Sequence, residues 1–136
     1  MTPMQVGLVQ ESWKRVVPIK DEAAQLFYGR LFELDPKLQD LFKGDMAEQR
    51  RKLMAMIGAA VGSLDRPDAL LPILRELGRK HLGYGVTTQD YDTVGSALLW
   101  TLEQGLGAAF TADVRGAWAE TYGLVATTMQ SGARAH

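Results

Sequence analysis

The chain has 136 residues, with 15 basic against 16 acidic side chains and no cysteine. That length suits one domain with a real core. The near-balanced charge gives no electrostatic footing for nucleic acid or an anionic membrane surface, and the missing thiols exclude disulfides, thiolate zinc sites and iron–sulfur clusters. Gln10, Glu11 and Lys14 interrupt the opening stretch, so it does not read as a signal peptide, and no apolar run approaches a membrane span. A soluble cytoplasmic protein is the expectation. Absent cysteine and asparagine fit selection for heat tolerance, against which the six methionines count.

The predicted elements are helical throughout. Thr2 is a good N-cap, with Pro3 in the first helical position and Gln5 completing a capping box. Val6, Val9, Trp13, Val16 and Val17 then repeat at helical spacing until Pro18 closes the helix or forces a corner. A second helix is expected from about Lys20 to Leu34, with Ala23, Ala24, Phe27, Tyr28, Leu31 and Phe32 on a broad apolar face. Asp35-Pro36 breaks it. Leu38, Leu41 and Phe42 suggest a short helical turn, and Lys43-Gly44 reads as a loop.

Asp45 opens the next helix, which runs to about Leu64. Its expected inward residues are Gln49, Leu53, Met56, Ile57, Ala60 and Val61, with small residues around Gly58 inviting a close crossing. Asp65, Arg66 and Pro67 read as a turn. From Leu70, a helix carries Leu70, Leu74, Leu77 and His81 on one face and is ended by Gly83 and Gly85. Thr87 or Thr88, with Asp90 close behind, caps a long helix through Tyr91, Val94, Leu98 and Leu102 to about Leu106. Thr111 starts the last one, with Val114, Trp118, Tyr122, Val125 and Met129 on one face, and the tail SGARAH reads as frayed. No segment alternates with period two, so the expectation is an all-α domain of six or seven helices.

Searches for chemistry return little. There is no Walker loop, H-E-x-x-H, G-x-S-x-G or cysteine nucleophile. Gly105-x-Gly107 ends a helix without a preceding strand, Asp90 and Asp92 sit at a helix start, and Arg50-Arg51-Lys52 reads as an exposed basic face. No catalytic residue is assigned. What remains is His81, whose one rival is the terminal His136. Taken alone, a histidine on an apolar face is more often a core side chain with one satisfied hydrogen bond. Tyr28 among Phe27, Leu31 and Phe32, and Gln49 one turn before Leu53, are polar groups that need partners where they are buried. Together with His81 they suggest a pocket for a ligand that accepts hydrogen bonds.

Several stretches carry a family pattern: ESWKRV at 11–16, LFYGRLFELDP at 26–36, LF at 41–42, QRRKLM at 49–54, LRELGRKHLGYGV at 74–86, YDTVGSALLWTLEQGLG at 91–107 and AWAETYG at 117–123. Through them the chain resembles the bacterial single-domain globins, the group related to flavohaemoglobin globin domains, Vitreoscilla-type haemoglobin and methanotroph globins. The resemblance covers all but the extreme ends and implies a globin fold over 1–136, six to seven helices around a haem pocket. It implies non-covalent haem b with His81 as the proximal iron ligand. Phe42 would wedge the haem, and Leu53 would form an apolar ceiling. Tyr28 and Gln49 would be the distal hydrogen-bonding pair, Gln49 standing where vertebrate globins carry a distal histidine. Leu77 and Val86 would line the proximal side, Tyr91 would be the proximal tyrosine, and Lys52 and Lys80 would meet the propionates.

The implied function is reversible, high-affinity O2 binding for storage, transport or scavenging, with NO and CO as further ligands and a monomer or weak homodimer as the assembly. The alternative is NO dioxygenase chemistry with an external reductase. A helical interaction domain without cofactor is the third class, and a Soret band would exclude it. One departure stands out. The proximal glutamate of the flavohaemoglobin-like group would fall near Ala133, where no glutamate is close.

Overall fold

A computed structural model describes all residues except Lys43, Tyr84, Ala135 and His136, and the side chains of Ala133 and Arg134 are likewise outside the description. Six α-helices follow one another: α1 Pro3–Val16, α2 Lys20–Leu34, α3 Met46–Gly62, α4 Pro67–Gly83, α5 Thr88–Leu106 and α6 Ala112–Arg134. Tight 3-10 turns at Val17–Ile19, Pro36–Leu41 and Gly107–Ala109 make three of the connections. Among the described residues there is no strand, and no helix is long and apolar enough to cross a membrane.

Local chemistry explains the helix starts. Thr2 and Gln5 form a reciprocal capping box on α1, and Thr87 and Asp90 form another on α5. Asp45 accepts from the Ala47 amide at the head of α3, and Thr111 accepts from the Val114 amide at the head of α6.

Four expectations need correction. α4 begins at Pro67, not near Leu70, because proline suits the first helical position, and Pro72 is carried inside the helix. The tail is not frayed through its whole length: α6 continues to Arg134, and Gly132 is buried against α4. Val17 and Met56 are exposed rather than inward. Val17 leaves the α1 face because the chain tightens into a 3-10 turn there, while Met56 sits off the stripe that packs on α1 and α2.

Packing divides the helices by neighbour. α4 packs chiefly on α6, α2 on α5, and α3 on α2 and α1. Among the described residues α3 and α4 are not one of the main packing pairs. The core accordingly forms two buried clusters. One runs through Val9, Trp13, Trp118, Leu70, Leu74 and Tyr91, and the other joins Phe27, Tyr28, Leu31, Leu38 and Ala97. Two half-buried leucines, Leu53 of α3 and Leu98 of α5, touch both.

Candidate functional site

Of the predicted site residues, Tyr28 and Phe42 belong with the smaller cluster, Tyr91, Leu77 and Val86 with the larger, and Leu53 touches both. Tyr28 is buried on α2, and its ring meets Phe42 edge-on at 5.2 Å and Phe32 at 5.9 Å. Phe42 reaches that position because the 3-10 turn Pro36–Leu41 ends just before it, with the Phe42 amide bonded back to Gln39 at 3.1 Å. Leu53 packs against this aromatic group and also against the larger cluster, beside which Leu77 and Val86 lie half-buried.

Burial removes the Tyr28 phenol from water and pushes its pKa up to about 12, with the Arg50 guanidinium pulling weakly the other way. The phenol therefore stays protonated, and stays a donor, across the physiological range. Gln49 is half-buried in the first turns of α3, next in the chain to Arg50.

His81 is half-buried near the end of α4, and its Nδ1 lies 2.7 Å from the Leu77 carbonyl oxygen. A carbonyl can only accept, so Nδ1 is the donor in this bond, and a neutral ring bonded in this way keeps its lone pair on Nε2. The chain then turns back sharply. Gly85 adopts a left-handed φ of 85°, and the Val86 amide donates to the His81 carbonyl at 3.2 Å. The Val86 backbone is thus tied to that of His81.

The remaining predicted residues are more peripheral. Tyr91 is buried in the larger cluster, its phenol raised by burial, and its carbonyl accepts from the Tyr122 hydroxyl. Tyr122 is pushed up further, by burial first and then by Tyr91 and Asp92. Lys52 is exposed and lies 3.8 Å from Glu48, and Lys80 is exposed on α4.

Sequence reasoning missed three arrangements. Trp118 donates to Ser12 at 2.8 Å in the core. Gly78 and Gly132 bring α4 and α6 into backbone contact. On the outer surface of α2, Arg30 stacks over Trp100 at 5.3 Å, beside a groove of about 470 Å³ that includes Leu26 and Glu33 and none of the predicted site residues. No periodicity rule marks any of the three, because each depends on which helices cross.

The globin family profile matches residues 25–129. The chain is 38% identical over 140 residues to the neuroglobin of Danio rerio, a match covering 93% of this chain and 88% of that protein. It belongs to the globin family. The neuroglobin of Chaenocephalus aceratus is 37% identical over 139 residues, covering 92% of this globin and 87% of its relative. The crystal structure of a hexacoordinated haem protein from an anhydrobiotic tardigrade, at pH 4, superimposes with a TM-score of 0.89 at 20% identity, covering 98% and 96% of the two chains. That likeness is one of fold. The expected globin family is therefore found, with neuroglobins among its similar members.

Proposed function

We propose that this globin holds haem b non-covalently with His81 as the iron ligand and binds O2 reversibly, the whole of 1–136 acting as one globin domain. The observation that carries the reading is the His81–Leu77 bond. A bond donated by Nδ1 orients the ring and leaves the lone pair of a neutral imidazole on Nε2, the arrangement a metal-ligating histidine needs from its surroundings. The apolar groups present fit a flat porphyrin. Phe42 is half-buried against the smaller cluster, Leu77 and Val86 against the larger and Leu53 against both, so covering them would remove more apolar surface from water. When bound, haem iron would supply an open position for a diatomic gas.

This chain's own part would be to discriminate among gases. Tyr28, kept protonated by burial, and Gln49 would donate hydrogen bonds to a ligand that gathers negative charge, favouring O2 over CO. Each bond in a dry pocket contributes on the order of 1–2 kcal/mol. High O2 affinity and slow release follow. Lys52 and Lys80 would lie near enough to the haem edge for the propionates to draw them in, and Tyr91 would stand on the proximal side. The Tyr28–Gln49 pair also ties the chain to the bacterial single-domain group, with a cytoplasmic setting and a monomer or weak homodimer. The test is the absorbance of the purified protein: a Soret band that shifts reversibly between deoxygenated and oxygenated forms supports the reading, and no bound haem after reconstitution overturns it.

The same donors suit conversion of NO to nitrate with an external reductase. Sustained turnover with a reductase, rather than a single oxidation by NO, distinguishes this second reading.

A further inference from the structure

We propose that Gly78 and Gly132 are positioning residues that set where His81 stands, an inference that rests on His81 being the iron ligand. α4 is held mainly by α6, and at their crossing the contact is backbone on backbone. A methyl group on Gly78 would overlap the Met129 carbonyl oxygen and stand 2.7 Å from the Met129 Cα. One on Gly132 would overlap the Arg75 carbonyl oxygen and stand 2.5 Å from the Arg75 Cα. The two contacts are reciprocal. Gly78 of α4 faces Met129 of α6, and Gly132 of α6 faces Arg75 of α4, each pair one turn from the other.

A two-point contact of this kind fixes both the height and the rotation of α4. It also has no side chain that can repack to absorb a change. Gly123, elsewhere on α6, would meet nothing within 4 Å, so closeness is a property of the crossing and not of glycines on this helix. Gly78 directly follows Leu77, whose carbonyl orients the imidazole, and lies one turn before His81. Metal–ligand distances tolerate only about 0.2 Å, whereas a methyl at either glycine forces the helices apart by more than that. The displacement would pass along α4 to the imidazole.

The test uses the full haem-loaded chain and compares Gly132→Ala with Gly123→Ala as control. Two quantities are read: the rate of haem loss to an apo-globin acceptor, and the iron–histidine stretching frequency of the ferrous protein. Gly132→Ala is expected to lose haem roughly 10- to 100-fold faster, the range typical when a ligand's outer support is removed, and to shift the stretch. Gly123→Ala should match the wild type. In a His81→Gly background with imidazole supplied, the tether from α4 to the iron is cut, so adding Gly132→Ala should leave the iron–imidazole stretch unchanged. Wild-type loss rate and frequency in Gly132→Ala would overturn the proposal, as would an equal shift in the imidazole-rescued background. Should Gly132→Ala fail to fold, amide exchange in the wild type decides. Protection across 129–132 should rise on haem binding, and not when haem and imidazole fill the His81→Gly protein; equal rises would overturn the proposal. Haem loss unchanged by His81→Gly would instead remove the ligand reading and the positioning role with it.

Discussion

The indole of Trp118 donates to the hydroxyl of Ser12 at 2.8 Å, joining α6 to α1 inside the core. The Ser12 hydroxyl in turn donates to the Leu8 carbonyl at 2.7 Å, so the small chain of bonds is complete. Ser12→Ala removes the acceptor and leaves the buried Trp118 N–H without it. The expected cost is about 1–3 kcal/mol, read as a lower urea midpoint with an unchanged slope. Trp118→Phe removes the N–H and leaves Ser12 bonded to the Leu8 carbonyl, so it should cost no hydrogen-bond penalty, although it leaves a cavity.

Tyr28 should control gas release. Tyr28→Phe keeps the ring that meets Phe42 at 5.2 Å and deletes only the hydroxyl. O2 dissociation is expected to quicken about tenfold, equivalent to roughly 1.4 kcal/mol, with CO release little changed. Stopped-flow ligand replacement measures both. Equal O2 release in the two proteins would remove the phenol from the ligand's surroundings.

Alkaline stability follows from the three buried phenols. Burial raises Tyr28 from 10.0 to about 12, and Tyr122 and Tyr91 move in the same direction. The native state therefore keeps protons that the unfolded chain has begun to release. Their contribution is whole below the unfolded value of 10.0 and is lost as pH climbs, in the case of Tyr28 through about 12. Thermal midpoints measured from pH 8 upward should fall in that alkaline window. Tyr122→Phe should flatten the fall while lowering stability by about 1 kcal/mol near neutrality, because the bond to the Tyr91 carbonyl is gone.

Much of this architecture is legible from local chemistry. Thr2 with Gln5 and Thr87 with Asp90 cap helices because an oxygen three residues from a matching side chain needs no tertiary context. The leucine ridge leading to His81 and the turn at Gly85 are equally local. Tertiary choices are not. Gly78 carries no signal in the sequence and Gly132 lies in a stretch that reads as a frayed tail, because nothing in a single sequence says that another backbone lies against them. Tyr28 and Gln49 are legible as polar residues on apolar faces, but such residues more often mark a boundary, and which of them is buried is a tertiary matter: Tyr28 is buried and Gln49 half-buried. Arg30 over Trp100 joins residues far apart in the chain, a pairing fixed by how α2 lies on α5.

The most direct test of the account is haem retention in His81→Gly. The account predicts that wild-type protein reconstitutes with haem and shows a Soret band, that the variant loses haem more than about 100-fold faster, beyond the range for outer-support losses, and that added imidazole restores retention. A His81→Gly protein that folds and holds haem as firmly as the wild type, with the same spectrum and without imidazole, would contradict it.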